Sequence, residues 1–409
     1  MPTKFFMLAG EASGDAHAAK LITAIKALDA QSTGSQQQTE AARGTHTRFI
    51  GMGGPKMAAA GLEVAKDLDG MQVVGFWEVA KKYGFFKRVF YELLDRVKQE
   101  KPDALICVDY PGFNLRFAKE VKKLGIPVLY YIVPQVWAWK AMRAKSMAEF
   151  VDRAFCVFEF EVPFFEKYGL KTEFVGHPLV DKCGMMNDEC GIRLPPGPKT
   201  VALLPGSRPN EIRAHYSAMF DGFVMSSFPL GELRGLISEA ADEQSDSISM
   251  VLSPELPSTN LLRERRIEEA GHVLDRWMKA GIPHARCLPK AADFSVVKSG
   301  TSTLEAGLAG NPMCVVYKGG TISYAIARLL VNIPVISLVN IVLGRYAVPE
   351  LLQGEVNPQR IAQEIERGLT DERYREQQKA ALAELPKKLG GPGASARAAK
   401  GIVDFLKGR

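Results

Sequence analysis

The stretch Leu203-Leu204-Pro205-Gly206-Ser207-Arg208-Pro209-Asn210-Glu211-Ile212 decides how the chain is read. It leaves an apolar strand, turns at a glycine beside an arginine, and enters a helix opened by an acid. A glycine at such a turn lets backbone approach a ligand closely. The helix start offers unpaired N–H groups, and Arg208 adds a forked cation. This is the form of a strand-to-helix junction in an α/β sheet with an anion site at its turn. A plain turn carrying a surface Arg has the same spacing, because no glycine pattern of a phosphate loop is completed.

Upstream, Cys190-Gly191-Ile192-Arg193-Leu194-Pro195-Pro196-Gly197-Pro198 reads as a linker, so a domain boundary is placed near residue 190. Downstream, strands are expected at 249–252, 292–297 and 313–317 with helices between them. The first half alternates in the same way: strands at 4–9, 49–51, 104–108 and 128–132, and a helix over 14–28. Alternation of this kind means parallel strands with crossover helices. The expected fold is therefore α/β, two Rossmann-like doubly wound domains (1–189 and 190–389) facing a central cleft. A helix within 390–409 is expected to return to the first domain. Ligands of such sheets bind at the carboxyl ends of the strands.

At 409 residues, with 46% hydrophobic and 24% charged, the chain has the size of two globular domains and not the composition of a disordered one. The apolar start ends too soon at a glycine and an acid for a signal peptide, so export is not expected. Asn332, Pro334 and Asn340 interrupt the longest apolar stretch, and no transmembrane helix is expected. Six scattered cysteines without ligand spacing suit reduced thiols in a cytoplasm. A net charge of +6 suits a small anion or an anionic lipid surface and does not point to nucleic acid.

Ser299-Gly300-Thr301-Ser302-Thr303-Leu304-Glu305 repeats the strand–turn–helix form. Its hydroxyls suit a helix cap while the N–H groups meet a second phosphate, with Glu305 placed to accept from a ribose; a plain capping turn with Glu near the helix start has the same form. Together with Ser207 and Arg208 it makes a nucleotide diphosphate the better joint reading. Gly10-Glu11-Ala12-Ser13-Gly14-Asp15 is no dinucleotide fingerprint, because its acids would repel a pyrophosphate; they either compensate the helix dipole or face sugar hydroxyls. Asp109, in Val108-Asp109-Tyr110-Pro111-Gly112-Phe113-Asn114, follows an apolar strand, where it either deprotonates an acceptor hydroxyl or caps a turn. His177 is read as a turn residue, and no residues have metal-ligand spacing. Residues 71–101 interleave aromatics with seven basic and four acidic residues, a pattern that suits a bilayer interface or an amphipathic helix packed on a core.

These segments, taken with Gly51-Met52-Gly53-Gly54-Pro55-Lys56-Met57, Pro134-Gln135-Val136-Trp137-Ala138-Trp139, Gly176-His177-Pro178-Leu179 and Pro349-Glu350-Leu351-Leu352-Gln353, closely resemble the lipid-A-disaccharide synthases in order and over nearly the whole length. Val133, Gly112, Glu159 and Val339 depart from the family pattern. The resemblance implies the glycosyltransferase B fold and inverting transfer of 2,3-diacylglucosamine from its UDP derivative to 2,3-diacylglucosamine 1-phosphate, without a metal or other cofactor. It implies Asp109 as general base and Glu11 as a further active-site acid. It also implies Arg208 on the diphosphate, and Ser299, Gly300, Thr301, Ser302, Thr303, Glu305 and Asn340 on the nucleotide. It places the protein peripherally on the cytoplasmic face of the inner membrane of a Gram-negative bacterium, through residues 71–101, and it leaves room for a homodimer. Two other classes fit the residues alone: a UDP-sugar epimerase of the same fold, and a non-catalytic lipid- or nucleotide-binding protein.

Overall fold

The computed structural model describes residues 3–32, 47–71, 83–137, 142–181, 197–206, 209–228, 233–238, 249–252, 288–319 and 335–408. They form two compact units, Met1–Pro178 with Gly390–Arg409, and Leu179–Leu389.

The first unit is built on seven parallel strands: β1 (Lys4–Leu8), β2 (Arg48–Met52), β3 (Leu62–Lys66), β4 (Ala104–Val108), β5 (Val128–Tyr131), β6 (Arg153–Cys156) and β7 (Thr172–Phe174), in the order β3-β2-β1-β4-β5-β6-β7. Its helices are α1 (Ala12–Ser32), α2 (Pro55–Ala60), α3 (Tyr83–Glu100), α4 (Pro111–Lys123), α5 (Met142–Ala148) and α6 (Glu161–Glu166). The central strands are apolar at almost every position because the sheet is covered on both faces. Phe6, Leu8, Leu105, Cys107 and Tyr130 join a core with Val89, Leu93 and Val97 of α3 and Phe113 and Phe117 of α4. Phe5, Met7, Ile106, Val108 and Tyr131 join another with Leu21 and Ile25 of α1 and Ala398, Ala399 and Ile402 of the C-terminal helix (Ala394–Lys407). Arg397 pins that helix by donating to the carbonyls of Val175, Gly390 and Pro392 at 2.6–2.9 Å.

The second unit carries β8 (Lys199–Leu204), β9 (Leu233–Ser238), β10 (Ser249–Leu252), β11 (Phe294–Lys298), β12 (Met313–Tyr317) and β13 (Glu350–Leu352), in the order β10-β9-β8-β11-β12-β13. Only β10 runs antiparallel to its neighbour among these strands. Its helices are α7 (Pro209–Met225), α8 (Leu288–Ala291), α9 (Thr301–Leu308), α10 (Leu338–Leu343), α11 (Pro358–Thr370), α12 (Glu372–Leu382) and α13 (Leu385–Lys388). Val201, Leu203, Val296 and Cys314 pack with Met219 and Phe223 of α7 and Ile361 and Ile365 of α11.

Each sheet reverses its strand order once, between β1 and β4 and between β8 and β11. Crossovers leave those two strands for opposite faces, so the loops after them part and a crevice opens. Register sets the loops level: Leu8 lies beside Cys107, and Leu204 beside Val297.

The described part of 71–101 differs from the bilayer expectation. Tyr83–Glu100 is a single helix whose Val89, Leu93, Leu94 and Val97 are buried, with Phe85, Phe86 and Phe90 half-buried against the same core. Its apolar face is thus taken by the protein itself, and Lys87, Arg88, Tyr91 and Lys98 are exposed. Residues 72–82 lie outside the described residues. No helix among the described residues is long and apolar enough to cross a membrane.

Candidate active site

In the first unit, Gly10-Glu11 follows β1 and Asp109-Tyr110 follows β4, so the two acids named from the sequence flank one switch point. Asp109 and Tyr110 have φ of 48° and 50°, the left-handed region, which costs non-glycine residues about 1–3 kcal/mol each and persists only where neighbours hold it. The Asp109 carbonyl accepts from Asn114 Nδ2 and Tyr130 Oη, both at 2.7 Å, and its N–H donates to the Tyr131 carbonyl at 3.1 Å. Burial, and then the Glu11 charge, push the Asp109 carboxyl up to about 6. Such a group is ionised at neutral pH yet basic enough to take a proton in a transition state. Glu11 is exposed, one residue before α1 begins.

Tyr110 links the loops after β4 and β1. Its hydroxyl donates to the Met71 carbonyl at 2.8 Å, and its ring lies against Gly10, where an added Cβ would come within 2.1 Å of Cδ1. Burial and Glu11 push its phenol up to about 12. Asp15 does other work. It is buried, and its carboxylate accepts from the N–H groups of Gly54, Lys56 and Met57 at 2.8–3.0 Å, tying α1 to the start of α2. The acid of the first helix turn is therefore an anion for the start of the next helix, a role that neither sequence reading of it included.

Beyond β5, β6 and β7 the Trp137 and His177 motifs meet. Trp137 Nε1 donates to Oε1 of the fully buried Glu161 at 2.9 Å, and the N–H groups of Val157 and Phe158 donate to Oε2. Burial outweighs those bonds and pushes Glu161 up to about 7. The Trp137 ring meets Phe160 edge-on at 4.9 Å, Phe160 stacks on Phe158, and Phe158 contacts His177. Burial, with His17 adding to it, drives His177 down to about 3, so it is neutral and a poor base. Trp139 lies outside the described residues.

In the second unit, Pro205-Gly206 follows β8 and Ser299-Gly300 follows β11, again at the switch point. Ser207 and Arg208 lie outside the described residues. Gly206 has φ of 123° and presses on Glu211, so it supplies both a conformation and a clearance that a side chain would not. Lys298, the last residue of β11, pairs with Glu211 of α7 at 2.8 Å, with both side chains largely buried. Its Nζ is 3.8 Å from where a Cβ of Gly300 would stand, beside the start of α9. His215 is buried, and its pKa is lowered mainly by that burial. Neutral, its Nδ1 donates to the Glu211 carbonyl at 2.7 Å while Nε2 accepts from Lys318 N–H at 2.8 Å.

Gly300 caps α9 without a side-chain cap, Thr301 is exposed and Ser302 half-buried, so the first turn offers N–H groups to an anion. Glu305 is half-buried on the same helix. Three expected contacts are otherwise engaged. The Ser299 hydroxyl donates to the Ile336 carbonyl at 3.2 Å, and the buried Thr303 hydroxyl donates to the Gly300 carbonyl at 2.8 Å. Asn340 is fully buried. Its Nδ2 donates to the Val348 carbonyl and Glu350 Oε1, and its Oδ1 accepts from the N–H groups of Ala347 and Val348. All the donors and acceptors of this amide are thus engaged in shaping the loop before β13.

Among the described residues no group of His, Cys, Asp and Glu is arranged to hold a metal ion. Cys107, Cys156 and Cys314 are buried free thiols.

A family model described as lipid-A-disaccharide synthetase matches residues 5–399. A lipid-A-disaccharide synthase of Anaeromyxobacter dehalogenans is 37% identical over 409 residues, covering 99% of this chain and 98% of that one. One of Geobacter sulfurreducens is 35% identical over 407 residues, covering 98% and 97%. Among solved structures, the calicheamicin glycosyltransferase CalG4 aligns with a TM-score of 0.55 at 15% identity, covering 100% and 99%. The S. aureus MnaA–UDP complex aligns at 0.59 and 12%, covering 100% and 97%. Likenesses at these identities speak for the fold alone.

Proposed function

The chain belongs to the lipid-A-disaccharide synthetase family, and on that premise we propose that it transfers 2,3-diacylglucosamine from its UDP derivative to 2,3-diacylglucosamine 1-phosphate. The products are the β-1,6-linked disaccharide 1-phosphate and UDP. Asp109 takes the proton of the acceptor's 6-hydroxyl as that oxygen attacks the anomeric carbon, the bond from that carbon to the diphosphate breaks, and the configuration inverts. Glu11 accepts from sugar hydroxyls. The charge left on UDP is met by the first N–H groups of α9, by Lys298 and by Arg208, with no metal.

The observation that carries this reading is Asp109 itself: a carboxyl beyond a switch-point strand, held in a costly conformation by two buried side chains and raised to about 6. Strain maintained in this way is characteristic of working sites. The test is UDP release and product mass from purified lipid substrates, with EDTA present. The expected result is release that depends on the acceptor, a disaccharide product, and turnover indifferent to the chelator. Acceptor-independent release would make the protein a hydrolase, a donor isomer of unchanged mass would make it an epimerase, and binding without release would remove catalysis.

The reading extends to a peripheral position on the cytoplasmic face of the inner membrane. The exposed Lys87, Arg88 and Tyr91 of α3 support it.

A further inference from the structure

Two buried side chains that the proposed reaction does not itself use converge on one atom of the site, the Asp109 carbonyl oxygen. Tyr130, fully buried on β5, donates its hydroxyl to that oxygen at 2.7 Å. Asn114, fully buried on α4, donates Nδ2 to it at 2.7 Å, and the same nitrogen lies 3.3 Å from the Val108 carbonyl and 3.4 Å from that of Leu8. One amide thus binds the ends of β1 and β4, the two strands flanking the switch point. Asn114 Oδ1, also buried, has no hydrogen-bond partner among the described residues, so the side chain is oriented wholly by its donor end. An unmet buried acceptor is unfavourable. The site retains it where the amide's donor end reaches three carbonyls.

The surrounding backbone shows what is being held. Asp109 and Tyr110 are left-handed, and so is Ile132 at the end of the neighbouring β5, with φ of 59°, a rare state for a β-branched residue. A carbonyl oxygen has two lone pairs, and those of Asp109 are both occupied. With its carbonyl and N–H both bonded, the residue's peptide planes are held, and with them the direction in which its Cα–Cβ bond leaves the backbone. We infer that Tyr130 and Asn114 are positioning residues, which fix the Asp109 carboxylate toward the acceptor by clamping the carbonyl of the same residue. This rests on the reading of Asp109 as the base.

Tyr130→Phe tests it, because it deletes one hydroxyl and leaves the ring packing and the Asn114 bond in place. Small misplacements of a reacting group cost up to about 100-fold. The expected result is a kcat about tenfold lower, KM for both substrates within about twofold, and an acidic limb of the pH profile moved to lower pH as the freed carboxyl relaxes toward water. A stability defect alone would not move that limb. In an Asp109→Asn background Tyr130→Phe should have no further effect on the residual kcat, since effects transmitted through one residue do not add. Asn114→Ser, which removes the amide altogether, should lower kcat more than Tyr130→Phe and provides the measurement if the latter folds poorly, as checked by urea denaturation.

If Asp109→Asn is inactive while both other variants keep wild-type kcat and pH limb, the clamp is wrong and the base stands. If Tyr130→Phe lowers kcat equally in the Asp109→Asn background, the hydroxyl acts elsewhere and the clamp is again wrong. If Asp109→Asn turns over normally, the base reading falls and takes the clamp with it.

Discussion

Asp109 should trade stability for activity, and the two effects have opposite signs in one substitution. A carboxyl whose pKa rises from 3.8 to about 6 on folding holds its proton more tightly in the folded state. Its contribution to stability is present in full below about 3.8 and is lost as pH rises through about 6. Asp109→Asn should therefore be more stable than the wild type at pH 8, by roughly 2 kcal/mol after allowing for partial exposure, and equal to it near pH 4. Urea denaturation at the two pH values measures this. Activity should move the other way, falling about 10²- to 10⁴-fold. In the wild type the rate should rise with pH through about 6, as the base becomes ionised, and the variant should lack that limb. A loss of stability in Asp109→Asn at pH 8 would mean that the carboxylate is a structural anion, as Asp15 is.

At the scale of elements, an ion pair in the second unit joins the end of β11 to the helix that follows β8, and a ligand for the crevice between those strands must deal with it. Lys298 closes β11 and Glu211 opens α7. The Lys298 ammonium already stands beside the start of α9, so a diphosphate at those N–H groups would compete with Glu211 for it. Lys298→Met should raise the dissociation constant of UDP about tenfold or more, the scale of one charge-assisted hydrogen bond, while Glu211→Gln should lower it. Unchanged UDP affinity in Lys298→Met, read by calorimetry, would exclude this lysine from the site. The pair was not legible in the sequence, because a lysine ending an apolar run reads as an ordinary strand terminus. Strands covered on both faces were legible: Ala104–Val108 and Met313–Tyr317 match their apolar runs residue for residue, and the bounds of the edge strand Ser249–Leu252 match as well. Short strands such as Thr172–Phe174 and Glu350–Leu352 have too few residues for a pattern, and Leu233–Ser238 is broken by Arg234 and Gly235. Asn114 and Tyr130 escaped notice for a different reason. They act on a backbone atom, which sheet register brings to Tyr130 and the turn into α4 brings to Asn114, and no residue pattern in the chain marks a contact of that kind.

At the scale of the molecule, both ends of the described chain belong to one unit, and the other is inserted between Pro178 and Gly390. A helix returning from 390–409 was expected from the sequence. What holds it is visible only in space: Ile402 is buried with α1 in the second core of that sheet, and Arg397 caps the carbonyls that precede the helix. Burying one such isoleucine contributes about 2 kcal/mol, a large share of a domain's net stability. Residues 179–389, by contrast, have among the described residues a six-stranded sheet and a core of their own. Produced alone, they should unfold cooperatively and be protected from proteolysis by UDP, because the nucleotide contacts expected from the sequence, Ser207 to Asn340, all fall within them. Residues 1–178 without 390–409 should lose cooperative unfolding and bind the dye ANS, and regain a sharp transition when the helix is fused back through a flexible linker. Should UDP protect the piece that carries Asp109 and leave 179–389 unaffected, the assignment of donor and acceptor to the two units would have to be exchanged.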